Sequence, residues 1–380
     1  MPWRRLALLS AIVAVVALCG GWGYALTVHA HTDWVFFEVG AREIVHYQGQ
    51  SIYADPALHV YVANPDLQIG PPALLSVAAF EWLPFRVTYV MFAALMAASA
   101  PIALMFAYRA ANVLRVRTSK TLILLLAALP VMAIWSFQAT AWKHLDDVMA
   151  LTLAAAATFA IARRRPWWLV GLLLGTAVAA KPWAIILAPM LLGIARQHRA
   201  KATLATIATA GAWWLPFVVA APDTISALGH FPVFAMPGSV LSVVGMHGHV
   251  ERWLRPVQFL LGVSIGLLAA RREWVSAPLA ALAVRVLTDP YSYGYYDMGP
   301  LLFAFMYDAT GAGWRGLPTY TGLTTLLVFL PPAVGMHGLI LGVLKLVWGV
   351  VVLTGIALRR RRNVSVAVLE APRELVPAAA

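Results

Sequence analysis

Charge is scarce in this chain and cysteine nearly absent. Asp, Glu, Lys and Arg make up 12% of its 380 residues, whereas a soluble globular domain carries about 25%. No long polar interval separates the apolar runs that recur from residue 6 to residue 358, which leaves no room for an appended soluble domain. The one cysteine, Cys19, lies inside the first apolar run, so no intramolecular disulfide can form and the count is silent on redox compartment. Carboxylates are rarer than cations, 16 against 28, and the net charge is +12. The Lys and Arg residues nevertheless form no basic face interleaved with aromatics, which argues against nucleic acid as a partner. No His-x-x-x-His and no dense acidic spacing fixes a coordination sphere. No internal repeat of about 20–50 residues stands out either.

What the chain has in abundance is apolar. Hydrophobic residues reach 61% and mean hydropathy is +0.77, the composition of an integral membrane protein. A bilayer core of ~30 Å takes about 20 helical residues per crossing. On that ruler crossings are predicted near 6–27, 86–107, 121–140, 147–162, 167–181, 183–196, 203–221, 255–270, 274–288, 298–313, 319–334 and 338–358. The expected fold class is therefore an all-α polytopic membrane protein with about 12 transmembrane helices (range about 10–13). Residues 1–363 read as a single multi-pass domain and 364–380 as a loose cytoplasmic tail. The first apolar run, Leu6 to Thr27, exceeds the ~7–15 residues of a signal h-region, so it is expected to stay as an anchor.

The cations occur as short clusters between apolar runs: Arg4-Arg5, Arg115 with Arg117, Arg163 to Arg165, Arg196 to Lys201, Arg271-Arg272 and Arg359 to Arg362. Such clusters mark loops kept in the cytoplasm. With both termini inside, every cluster falls on the cytoplasmic side of the predicted map. That alternation holds only if residues 71–85, bounded by Pro71-Pro72 and Pro84, form a short interfacial or re-entrant helix and no full crossing. Nine of the ten His and most carboxylates then fall on the outer face of a plasma membrane, which is where the chemistry is expected.

Asp33 opens the first outer loop, residues 28–85. It suits a helix N-cap, since Trp34, Phe37, Ala41, Ile44 and Val45 follow at the spacing of an amphipathic interfacial helix. It equally suits a general base, because a half-dry cleft lifts a carboxylate from ~3.9 towards neutrality. Arg285 lies near the outer end of an apolar crossing, where an unpaired charge costs ~2.5–3.5 kcal/mol; it calls for an anion, and Asp289 at i+4 is the structural alternative. Lys181, beside Pro182 at a membrane turn, either meets such an anion or snorkels to water. Lys143 and Arg255 are weaker versions of the same idea, and Lys345 suits a lipid phosphate or a packing partner equally well. In the loop DPYSYGYYD, Tyr291, Tyr293, Tyr295, Tyr296 and Asp297 suit sugar binding, or a membrane-interface aromatic belt.

Read in order, these pieces resemble a known family. Asp33, Phe36-Phe37, Gly49, Tyr53 and Pro71-Pro72, then His144, Asp146, Gly171, Gly175, Lys181 and Pro182, resemble the motifs of glycosyltransferase family 87. That family comprises polyprenol-phosphate-mannose-dependent mannosyltransferases of the glycosyltransferase C-type fold. Two departures stand out: Ile69-Gly70 replaces an aromatic before Pro71, and Lys143 replaces a Gly before His144.

The resemblance implies an inverting transfer of a sugar, mannose ahead of arabinofuranose, from a polyprenyl-phosphate donor to a glycolipid or polysaccharide acceptor. Asp33 would be the catalytic base, Arg285, Lys181 and Lys143 the donor-phosphate contacts, and Tyr53, His144, Asp146, Tyr293, Tyr296 and Asp297 the substrate contacts. No cofactor and no metal is expected. A transporter or flippase would show inverted repeats and polar residues along a whole crossing path; here the polar residues gather on one face. A non-catalytic scaffold is the remaining alternative.

Overall fold

The computed structural model describes residues 34–45, 59–64, 67–114, 121–229 and 233–359. It is overwhelmingly helical, because a backbone surrounded by hydrocarbon must satisfy its own polar groups within each segment. In chain order the helices are α1 (Trp34–Val45), α2 (Val60–Ala63), α3 (Pro71–Ala78), α4 (Phe85–Leu114), α5 (Thr121–Ala141), α6 (Leu145–Ala162), α7 (Trp167–Ala180) and α8 (Arg196–Ala220). They continue with α9 (Thr224–Leu228), α10 (Val240–Val243), α11 (Leu254–Ala270), α12 (Ala277–Thr288) and α13 (Met298–Ala309). The run α14 (Thr319–Thr324), a π turn over Thr325–Phe329 and α15 (Leu330–Ala333) precedes α16 (Leu339–Leu358). Two short strands, β1 (Phe234–Ala235) and β2 (Gly248–His249), pair antiparallel with Phe234 opposite His249.

Among the described residues four helices, α4, α6, α8 and α16, are long and apolar enough to cross a membrane. Their neighbours α5, α7, α11 and α12 are apolar but shorter or described in part. The chain is thus an all-α membrane protein, and its helices fall where the hydropathy ruler puts them from residue 85 onwards. Side chains such as Leu204, Ile207, Leu215 and Val219 on α8 and Leu260 and Leu268 on α11 project outward, as expected of a bundle solvated by lipid.

Two groups of helices pack about a shared middle. On one side α4 packs on α5 and α6, α6 on α7 and α7 on α8; on the other α12 packs on α11, α13 and α16, and α13 bridges the groups by packing on α4 and α5 as well. Between them runs a 3₁₀ segment, Pro182–Gly193, whose Trp183, Ala184, Ile186, Leu187 and Met190 are buried. Pro189 lies inside this segment and removes a backbone donor. At ~2.0 Å rise per residue the twelve residues extend about 24 Å, where an α-helix of that length would reach about 18 Å. The predicted crossing at 183–196 is therefore a 3₁₀ strut. Close packing elsewhere relies on small residues: α6 buries Ala150, Ala154, Ala155 and Ala157. On α7, Gly171 and Gly175 lie against Ala205, Thr206 and Thr209 of α8 with no room for a Cβ.

The segment expected as the first outer loop differs from expectation in one respect. Trp34, Phe37 and Ala41 of α1 face the protein and are buried, with Trp34 packed on Phe37, Tyr89 and Phe92. They do not seat the helix on lipid. The cause is the bare Gly40 on the same face, which lets α1 approach Leu74 of α3 too closely for the stripe to be lipid-facing. Helix α3 has eight residues, about 12 Å, well short of a crossing. Its start is clamped: the Gly70 N–H donates to the Ala180 carbonyl at 3.1 Å, and the Tyr61 hydroxyl donates to the Ile69 carbonyl at 2.7 Å.

A Cβ at Gly70 would stand 2.6 Å from the Ala180 carbonyl carbon and closer still to the carbonyl oxygens of Ala179 and Ala180. Gly70→Ala should therefore destabilise by about 1–3 kcal/mol, as overpacking does. Gly211→Ala, on α8 with nothing within 4 Å of the new carbon, should leave stability unchanged or higher. Thermal melting of both variants in detergent checks the pair, and equal melting points would contradict the clamp.

Candidate active site

Helix ends converge beside the Gly70 clamp. Helix α6 begins with Asp146 and Asp147 in its first turn, where the helix dipole favours carboxylates. Helix α7 ends at Lys181, whose ammonium donates to Asp146 Oδ2 and lies 3.3 Å from Asp147 Oδ2. Trp183, opening the 3₁₀ strut, donates its Nε1–H to Asp147 Oδ1 at 2.7 Å. His144 Nδ1 stands 3.5 Å from Asp146 Oδ1 and 3.7 Å from Asp147 Oδ2. All these groups are buried. Burial disfavours the Lys181 ammonium, but the carboxylates of Asp146 and Asp147 outweigh it and hold its pKa above the ordinary value.

Helix α12 brings Arg285 in its last turn, again on the side its dipole favours. The guanidinium is sandwiched between the Trp183 ring at 4.2 Å and the Tyr296 ring at 4.5 Å. Its Nε is 3.4 Å from Asp289 Oδ2, while Arg255 Nη1 is 3.5 Å from Asp289 Oδ1. The Asp289 pair expected at i+4 is therefore present, but one carboxylate is shared by two guanidinium groups. Arg285 Nη1 is buried and makes no hydrogen bond among the described residues.

Two adjoining cavities open on these groups. The larger, about 440 Å³, is walled by aromatics, among them Trp142, Tyr291, Tyr293 and Tyr295, with His144, Asp146 and Lys181 on its polar side. Tyr291, Tyr293 and Tyr295 form a ladder, stacked at 5.6 and 5.4 Å, and His144 lies flat on Tyr295 at 3.5 Å. The smaller, about 300 Å³, has Lys181, Arg255 and Arg285 at one end and Trp214, Leu228 and Phe259 along its sides. Gln68, Lys181 and Tyr296 line both. Burial pushes the Tyr296 hydroxyl up to about 12, with Asp289 adding to it against Lys181 and Arg285, so it stays a neutral donor.

The charge differs between the two. Lys181, on both chambers, is met by two carboxylates on the aromatic side, Asp146 and Asp147, whereas Arg255 and Arg285 on the cationic chamber share one, Asp289. His144, Asp146 and Asp147 could offer a cation three ligand atoms within 4.8 Å of one another. Lys181 already holds that position against both carboxylates, so a metal would have to displace it.

The residues expected from the sequence divide accordingly. His144, Asp146, Lys181, Tyr293 and Tyr296 line the aromatic chamber, and Arg285 and Lys181 the cationic one. Asp297 lines neither; it is buried against Lys345 of α16 at 2.8 Å, so Lys345 has a packing partner. Burial raises the Asp297 pKa and Lys345 opposes that rise. Lys143 also stands apart from both, at φ +56 with its ammonium 4.0 Å over the Tyr89 ring. Asp33 and Tyr53 lie outside the described residues. Tyr291 and Tyr295 of the same loop line the aromatic chamber as well, whereas Gln68, Trp142 and Trp183 were not anticipated, although Trp142 and Trp183 flank the His144 and Lys181 motifs.

The family model of glycosyltransferase family 87 matches residues 70–289, more than half the chain. The match takes in His144, Asp146, Lys181 and Arg285 and ends at Asp289. No curated protein and no solved structure matches the chain.

Burial lowers the Lys143 pKa to about 8, below the ~10.4 of the unfolded chain. Between those values the unfolded chain binds more protons, so stability rises with pH across that window, and the penalty is fully present below about 8. Lys143→Met removes it. The variant should melt above wild type at pH 7, with the gap narrowing towards pH 10; a gap independent of pH would contradict the buried ammonium.

Proposed function

The chain belongs to glycosyltransferase family 87, as a membrane glycosyltransferase, and on that premise we propose a donor, a mechanism and a place for each substrate. The donor is a polyprenyl-phosphate sugar, with mannose favoured over arabinofuranose by the family resemblance. The acceptor is a glycolipid or glycan hydroxyl, and the reaction takes place on the outer face, where the positive-inside pattern puts these loops.

The observation that carries this reading is Arg285. A buried guanidinium held between two aromatic faces, sharing its one carboxylate with Arg255 and keeping Nη1 unbonded, fits a leaving phosphate. The apolar sides of the cationic chamber, Trp214, Leu228 and Phe259, suit the first isoprene units. The aromatic chamber suits sugar rings, which stack on tyrosine faces while their hydroxyls bond to the carboxylate side.

In the proposed step the acceptor oxygen attacks the anomeric carbon from the aromatic chamber as its proton passes to the Asp33 carboxylate. The bond from that carbon to the phosphate oxygen breaks, and the phosphate leaves with the electron pair towards Arg285 and Arg255. Attack opposite the leaving group inverts the anomeric configuration. Asp33 directly precedes Trp34 of α1, the helix whose Phe36 and Phe37 line the aromatic chamber. Lys181, neutralised by Asp146 and Asp147, organises the boundary between the chambers more than it carries free charge.

Purified enzyme supplied with polyprenyl-phosphate mannose and a glycolipid panel, read by mass spectrometry, tests the assignment. Arg285→Ala should reduce kcat/KM by about 10²–10³-fold, the scale of losing one preorganised charge stabiliser. Arg285→Lys should recover little, because an ammonium cannot keep the planar stacking between Trp183 and Tyr296. Asp33→Asn should abolish transfer while leaving melting temperature unchanged. Normal turnover by the Asn variant would remove Asp33 from the mechanism, and a flippase would still move lipid with that change.

A further inference from the structure

If the two chambers hold phosphate and acceptor, the transferred sugar must straddle their junction. Three residues line both chambers, and two of them are already engaged. Lys181 is bound by Asp146 and Asp147. Tyr296 lies under the Arg285 guanidinium and packs edge-on against the Tyr295 ring. The third, Gln68, is half-buried, and its amide makes no hydrogen bond among the described residues.

Chemistry and rigidity both single it out. A neutral amide offers two donors and an acceptor. It adds little to a phosphate already faced by two guanidinium groups, but it matches a hydroxyl, which both donates and accepts. The backbone carrying it cannot drift, because the neighbouring Ile69 carbonyl is held by Tyr61 and Gly70 is locked onto the helix end that precedes Lys181. Gln68 and Lys181 therefore form one preorganised edge. Polar atoms held that way discriminate well, because the site pays in unmade bonds when the matching group is missing.

We propose that Gln68 is a specificity-determining residue whose side-chain amide hydrogen-bonds one ring hydroxyl of the transferred sugar at the chamber junction. The proposal rests on the reading of the chambers as phosphate and acceptor sites. It assigns Gln68 a contact with the sugar and no part in proton transfer.

The test uses the full chain with polyprenyl-phosphate mannose and arabinofuranose, each beside its singly deoxygenated derivatives, and compares kcat/KM for wild type, Gln68→Ala and Gln68→Met. With the parent sugar both variants should lose roughly 3- to 10-fold, the scale of one neutral hydrogen bond. One deoxy derivative should cost wild type the same factor, and on that derivative the variants should match wild type. Their activity there also shows that they are folded. A uniform loss across all donors, or no loss on the parent sugar, overturns the Gln68 assignment while leaving the donor reading intact. Wild-type enzyme that transfers sugar from none of these donors overturns the donor reading, and the Gln68 contact with it.

Discussion

A single ammonium set against two buried carboxylates holds this molecule's working end together. Lys181 ends one helix, Asp146 and Asp147 begin another, and Trp183, tied to Asp147, starts the strut that separates the two helix groups. Removing one partner from such a buried set typically destabilises by ~3–5 kcal/mol, since the remaining charge is left without compensation in a low dielectric. The chain thus satisfies its own charges first, and only what is left over is free for substrate.

What is left over is unevenly distributed. The carboxylate excess lies beside the aromatic chamber and the guanidinium excess beside the cationic one, a few ångströms away. A lipid-linked sugar phosphate has the same polarity, hydroxyls at one end and a phosphate with a greasy tail at the other. Low dielectric amplifies the match, because each charge is screened only by the neighbours that the fold supplies. Shape adds to it: the ladder of Tyr291, Tyr293 and Tyr295 offers flat faces, while Trp214 and Phe259 leave a wall without polar demands.

Much of this was legible in one dimension. Apolar run length located the helices because backbone satisfaction in lipid leaves few other options. His144, Asp146 and Lys181-Pro182 were legible through their resemblance to family motifs. Arg285 announced itself as a charge where charge is expensive. Partnering was harder to read, since it depends on elements distant in sequence. Lys345 finds Asp297 from another helix, and Lys143 turns over the Tyr89 ring instead of towards a substrate. The inward face of α1 turned on an absence, the missing side chain of Gly40, that no apolar stripe records. Gln68 carried no signal at all, being a single uncharged residue whose importance comes from what its neighbours are fastened to.

The clamp at Gly70 bears on how this protein could change its diet. Because the strip bearing Gln68 is stitched through Gly70 to the carbonyl of Ala180, the floor of the junction and the Lys181 turn form one block. Widening that floor would pull the charge cluster apart. The opposite wall, residues 289–297, is held at its two ends instead, Asp289 by Arg285 and Arg255 and Asp297 by Lys345, and the tyrosines between stand on a largely extended loop closed by a short 3₁₀ turn. Natural drift or laboratory redesign towards a bulkier or differently branched sugar therefore has one direction open to it, through the tyrosines, while the opposite edge stays as the fixed gauge against which every candidate is measured.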